Sequence, residues 1–131
     1  MTALYLDSSA FVKLVVEEPE TAALRSYLAK EGQRRVSSAL LRTEALRAVR
    51  RLGAEALATV REGLRRVDLV GIDDRILDAA GTLEPGVLRT LDAIHLATAQ
   101  AIGEDLDSIV TYDERMIEGA RLLGLPTEMP R

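Results

Sequence analysis

Cysteine is absent from these 131 residues, and histidine occurs once, at position 95. Disulfides, zinc–thiolate centres and a cysteine nucleophile are thereby excluded, as is a metal site built from several imidazoles. A metal held by this chain would need oxygen ligands, which favours Mg2+ or Mn2+ over Zn2+. Tryptophan is missing too, and aromatics make up only 3%. The core must therefore come from Leu, Val, Ile and Ala, which suits helices laid on a sheet. No segment approaches the roughly 20 apolar residues of a membrane span, and "MTALYLDSSAF" carries no basic leader. The expectation is a cytoplasmic, soluble protein without a membrane partner, folded as one domain over residues 1–131.

What is present is unevenly spread. Net charge is −4, yet residues 34–66 carry nine arginines against three glutamates, a local +6, and the remainder carries −10. Such asymmetry suits a polyanion or a charged partner surface, and it equally suits a solvated pair of arginine-rich helices.

Apolar runs alternate with helical patterns. "ALYL" reads as a buried strand ending at Asp7, and "DSSAFVKLVVEE" as a helix capped by Asp7, Ser8 or Ser9. "PETAALRSYLAKEG" reads as a helix with Pro19 in its first turn and Gly32 at its close. "RRVSS" is a strand. "SALLRTEALRAVRRLG" is an amphipathic helix with Leu41, Ala45, Ala48 and Leu52 on its apolar face and Gly53 at its end. "AEALATVREGLRR" is helical, "VDLVGI" a strand, "DDRILDAAGTL" a helix and "EPGVLRT" a loop. "LDAIHLATAQ" is a buried helix, "DSIVTY" a strand and "DERMIEGARLLG" a helix, followed by a tail with two prolines. The pattern predicts an α/β fold whose parallel sheet, about four to five strands, is covered by helices on both faces. Ligands in such sheets bind at the carboxyl ends of the strands.

Asp7, Asp92 and Asp113 all fall at strand ends or helix starts, where an aspartate also serves as an N-cap or complements the helix dipole. Glu44 does not fit that explanation. It lies inside its helix on the apolar arc, a costly place for a carboxylate unless it reaches solvent, pairs with an arginine such as Arg47 or Arg51, or binds a cation. Four carboxylates gathered at one sheet edge would repel one another. A divalent cation relieves that, and its natural chemistry is phosphodiester hydrolysis. Ser8 and Thr111 lie beside the acids in sequence and could orient a carboxylate or a water.

These stretches are similar to the PIN-domain ribonucleases, and more narrowly to VapC-type toxins of bacterial toxin–antitoxin pairs. "LYLDSSAFVKLVVEEPE" resembles the family's opening with its aspartate at Asp7, and "VSSALLRTEALRAVRR" the helix bearing its glutamate, Glu44. "LRTLDAIHLATA" resembles the stretch with the third acid, Asp92, and "DSIVTYDERM" the closing strand with Thr111 and Asp113. The resemblance implies a Mg2+- or Mn2+-dependent endoribonuclease acting on RNA such as tRNA or rRNA. Asp7, Glu44, Asp92 and Asp113 would hold the metal. A metal-activated water would attack the phosphate in line, leaving a 3′-hydroxyl and a 5′-phosphate. It further implies a homodimer and silencing by a cognate VapB-like antitoxin. Arg42, Arg47, Arg50 and Arg51 then become candidates for contact with RNA backbone or with acidic residues of the antitoxin.

A phosphoacceptor receiver domain would need an acidic pair after the first strand and a late lysine, whereas the lysines are Lys13 and Lys30. A haloacid-dehalogenase-type phosphatase would need Asp-x-Asp, where this chain has "DSS". A PIN-like binding module that has lost catalysis remains the alternative. His95, flanked by Ile and Leu, is read as a packed residue with its ring hydrogen-bonded nearby and is left out of the catalytic set.

Overall fold

The computed structural model describes residues 2–29 and 33–131. Strand β1 (Thr2–Leu6) is central, and Ala3 to Leu6 are completely buried. An unbroken apolar run is what a strand covered on both faces requires. Helices α1 (Ser8–Val15) and α2 (Thr21–Leu28) follow, then β2 (Gln33–Ser38), α3 (Leu40–Val49) and a 3-10 turn (Arg50–Leu52). Next come α4 (Ala54–Leu64), β3 (Asp68–Val70), α5 (Asp74–Gly81) and α6 (Thr90–Ile102). β4 (Leu106–Val110), α7 (Glu114–Leu122) and a short β5 (Thr127–Glu128) complete the chain.

The sheet is wholly parallel, in the order β3-β2-β1-β4-β5. Successive side chains of β1 point to opposite faces. Leu4 and Leu6 therefore join Phe11, Leu24, Leu41, Val49 and Val60 in one layer, beneath α1 to α4. Ala3 and Tyr5 join Leu96, Ile109, Met116 and Ala120 in the other, beneath α6 and α7. The strand order reverses direction at β1. Connections leaving β1 and β4 thus depart to opposite faces and open a crevice at their carboxyl ends.

The five strands and the helices on both faces agree with the sequence expectation. Several boundaries differ. Pro19 lies before α2 rather than in its first turn: Thr21 Oγ1 donates to the Lys13 carbonyl and accepts from the Glu18 amide, so a polar knot turns the chain before the helix begins. Gly32 falls outside the described residues. Ala48 is exposed, because the buried stripe of α3 runs through Leu41, Ala45 and Val49. The helix tightens into the 3-10 turn before Gly53, whose φ of 98° suits glycine. The proline-containing tail supplies β5, whose backbone pairs with Ile109 and Thr111. Among the described residues no helix is long and apolar enough to cross a membrane.

Candidate metal-dependent active site

Register builds the first part of the site. Leu6 of β1 stands beside Val110 of β4, so the next residues, Asp7 and Thr111, meet where the two strands end. Thr111 Oγ1 donates to Asp7 Oδ2 at 2.5 Å and accepts from the Asp113 amide at 3.1 Å. Ser9 Oγ donates to Asp7 Oδ1 at 2.7 Å and accepts from the Tyr112 amide at 2.9 Å. The Ala10 amide reaches the same Oδ1 at 3.1 Å, which makes Asp7 the N-cap of α1. The hydroxyl that grips Asp7 is thus that of Ser9 and not of Ser8. The N-cap geometry turns the first residue of α1 away and brings the second back over the carboxylate.

Asp7 is 3% exposed. Burial raises its pKa above the usual carboxylate value, and the Ser9, Thr111 and Ala10 hydrogen bonds offset only part of that rise. Two hydroxyls and one amide are a poor replacement for the hydration of a full charge. Asp92 occupies the first turn of α6 without capping it: the N-cap is Arg89, and no side chain caps this helix. Among the described residues the Asp92 carboxylate has no hydrogen-bond or ion-pair partner. Its pKa is raised first by burial and then by the neighbouring Asp113 carboxylate, against a smaller opposing pull from Arg115. Glu44 adds to the same repulsion. The acids from α3, α6 and the β4–α7 junction therefore share one electrostatic neighbourhood, and Thr111, bonded to both Asp7 and the Asp113 amide, joins the acid after β1 to it.

As placed, no three acidic or imidazole groups among the described residues form a ready cage for a metal. Two of the acids are engaged elsewhere. Asp113 caps α7, accepting from the Arg115 amide at 2.9 Å, with the Arg115 guanidinium 3.8 Å away. Glu44 Oε1 lies 2.6 Å from His95 Nε2. The partner of this half-buried glutamate is the imidazole, not Arg47 or Arg51. The donor chemistry nonetheless suits a hard divalent cation: the set is carboxylate oxygen, and both Asp7 and Asp92 are disfavoured as bare charges.

Sequence reasoning named Ser9 only as a capping candidate and did not single out Tyr5, while its reading of His95 as packed with its ring hydrogen-bonded nearby agrees with the structure. The imidazole is 2% exposed and bonded at both ends, to Glu44 and to Tyr5 Oη at 2.7 Å. The available signal was the spacing of Asp92 and His95, which puts them one turn apart on α6. Arg42, Arg47, Arg50 and Arg51 are all exposed, and none is ion-paired among the described residues. Arg34 and Arg65, by contrast, pair with Asp68 and Glu62. Arg47, Arg50 and Arg51 line one surface recess.

Thr111→Val keeps the shape but strips Asp7 of a donor and the Asp113 amide of its acceptor. It is expected to lower stability by about 1–3 kcal/mol and any activity of the site by about 10- to 100-fold. Urea unfolding and turnover assays would measure the two effects.

Residues 4–122 match the family model of the PIN domain. The chain is 53% identical over 130 residues to Ribonuclease VapC46 of Mycobacterium tuberculosis (strain ATCC 25618 / H37Rv), covering 99% of each chain. It is 38% identical over 131 residues to Ribonuclease VapC47 of Mycobacterium tuberculosis (strain CDC 1551 / Oshkosh), covering 97% of this chain and 96% of that one. Among solved structures, Mycobacterium tuberculosis VapC20, described as a sarcin-ricin loop cleaving toxin, superposes with a TM-score of 0.76 at 14% identity, covering 98% and 99% of the two chains. A toxin–antitoxin complex from Klebsiella pneumoniae superposes with a TM-score of 0.70 at 17% identity, covering 98% of each. At these identities the superpositions speak for the fold.

Proposed function

The chain belongs to the PIN-domain family, and from that premise we propose that it is a VapC-type endoribonuclease toxin that cleaves RNA with the help of Mg2+ or Mn2+. The observation that carries the reading is Asp7, a carboxylate 3% exposed at the β1/β4 crevice and gripped by Ser9 and Thr111, with no cationic partner among the described residues. Its near-complete relatives carry the name ribonuclease.

In this reading Asp7, Glu44, Asp92 and Asp113 hold the cation. A bound divalent cation of this class activates water as a nucleophile and offsets the charge that builds on phosphate during in-line displacement. The protein's own contribution is placement. Ser9 and Thr111 fix both oxygens of Asp7 on the rigid ends of β1 and β4. Asp92 enters from the first turn of α6 and Asp113 from the start of α7. Repulsion among Asp92, Asp113 and Glu44 is what a cation would relieve.

RNA, itself a polyanion, then needs cationic purchase near the acids but not among them. Glu44, Arg47 and Arg51 recur at helical spacing on α3 and the turn that extends it. That spacing supports two arginines on the acid's side of the helix, about one and two turns on. Removing either Arg47 or Arg51 by alanine substitution is expected to weaken RNA binding and to reduce the slope of log K against log salt by about 1. Fluorescence anisotropy across a salt series would read both. The remaining partners are a VapB-like antitoxin and a second copy of the chain in a homodimer, and the setting is the cytoplasm.

Chelation tests the cation. Protein stripped with EDTA should leave RNA intact, and added Mn2+ or Mg2+ should restore cutting. Cleavage that persists in EDTA would refute metal dependence. No cleavage under any cation, across varied RNAs, would favour a PIN-like binding module instead.

A further inference from the structure

Tyr5, His95 and Glu44 lie in a line that starts in the core and ends at the acidic edge. Tyr5 is in the middle of β1, completely buried, and its hydroxyl is 2.7 Å from His95 Nδ1. The two rings stand edge to face, 79° apart with centroids separated by 5.8 Å. Nε2, at the far side of the imidazole, is 2.6 Å from Glu44 Oε1. His95 follows Asp92 by one turn of α6, while Glu44 belongs to α3, in the opposite layer of the fold. One imidazole therefore joins helices from the two faces of the sheet over its carboxyl end.

We infer that His95, backed by Tyr5, is the positioning residue for Glu44: it fixes that carboxylate by holding one oxygen and leaves the other for a ligand. The inference rests on the site assignment given under Proposed function.

Donor counting supports the direction of each bond. The Tyr5 hydroxyl has one proton to give, and His95 Nδ1 lies 2.7 Å from it. With Nδ1 accepting that proton, Nε2–H is the group that donates to the Glu44 carboxylate. Each bond then has one donor and one acceptor. A histidine present only to fill space would not need both nitrogens met at 2.6 and 2.7 Å by side chains from two other elements. Nor would α3 place a glutamate against it, since any apolar side chain would seal the same edge. A carboxylate steered by an imidazole that is itself oriented by a third group is a recurring way to hold a metal ligand in one rotamer.

Two measurements decide the matter. The first is the pair of imidazole 15N chemical shifts of the single histidine, read without added metal in the wild type, Glu44→Ala and Tyr5→Phe. Both substitutions should move the shifts, Glu44→Ala mainly at Nε2 and Tyr5→Phe mainly at Nδ1. The second is Mn2+ affinity by calorimetry. His95→Leu should weaken it by about 10- to 100-fold. His95→Gln, whose amide N–H can stand where Nε2–H stood, should recover most of that loss. In the Glu44→Ala background, His95→Leu should weaken Mn2+ binding no further, because its effect travels through Glu44. Circular dichroism of each variant establishes that it is folded.

Ring nitrogens indifferent to Glu44→Ala would overturn the inference. So would folded His95→Leu that binds Mn2+ like the wild type, or a full additional loss from His95→Leu when Glu44 is already gone. A wild type that binds no Mn2+ would sink the cation reading of the site, and the nitrogen shifts would still decide whether His95 holds Glu44.

Discussion

Asp7→Asn is expected to abolish RNA cleavage and to raise the melting temperature of the metal-free protein at the same time. The activity loss should exceed the roughly 100-fold that removal of a supporting group typically costs, because the amide has lost the charge a divalent cation needs. Stability should move the other way. Burial raises the pKa of Asp7, so the fold favours its protonated form. The stabilisation from this group is fully present below the ordinary carboxylate value and is lost as pH rises through the elevated folded one. Above that elevated value the ionised Asp7 is therefore a burden on the metal-free fold. Asparagine removes the charge, retains an oxygen for the Ala10 amide and remains a good N-cap. Each kcal/mol recovered should raise the melting temperature by roughly 2–4 °C in a chain of this size. For the same reason the gap between mutant and wild type should shrink as pH falls from the elevated pKa toward the ordinary carboxylate value, and added Mn2+ should stabilise the wild type alone. A mutant that melts below the wild type in EDTA at neutral pH would contradict the account. So would one that cuts RNA normally.

The largest stability loss is expected from Leu96→Ala. Leu96 is completely buried in the α6–α7 layer beside Tyr5, Ile109 and Met116. Its Cδ1 lies 2.8 Å from where a Cβ on Gly119 would stand, so α7 comes close to α6 because position 119 has no side chain. A truncated Leu96 leaves a cavity between two helices that are already near contact and bear on the sheet. The cost should be about 2–5 kcal/mol, a large share of the 5–15 kcal/mol typical of a folded domain. The urea midpoint reads it directly. A loss below about 1 kcal/mol would mean that α7 collapses into the space more freely than the packing suggests. The residue sits next to His95, so turnover by the surviving folded fraction also shows whether the Tyr5–His95–Glu44 line needs a tightly packed α6.

Much of this molecule was legible before its structure. "ALYL" announced a strand buried on both faces, because an unbroken apolar run has no solvent side to serve. Alternating strands and helices announced the parallel sheet, and "DSS" and "YDE" marked acids at its carboxyl edge. Glu44 stood out because a carboxylate on an apolar arc is expensive. These features depend on local periodicity and on the chemistry of single side chains, both of which sequence records.

What the sequence could not supply were distances between residues far apart along the chain. Whether Ser8 or Ser9 grips Asp7 depends on the N-cap dihedrals and on a strand more than a hundred residues downstream. The fifth strand is two residues beside a proline and draws its reality from the β4 edge it pairs with. For Glu44 the sequence offered a cation, solvent or an arginine such as Arg47 or Arg51, because neighbours in sequence are the only ones a sequence shows. The fold supplied His95 instead, 51 residues on, and Tyr5 behind it, 90 residues back. The sequence by itself determined the alternation of strands and helices and which acids stand at strand ends and helix starts. Only the tertiary structure decided which hydroxyl, which ring and which backbone amide hold each carboxylate. Those are contacts between separate elements, and no local pattern encodes the register that brings them together.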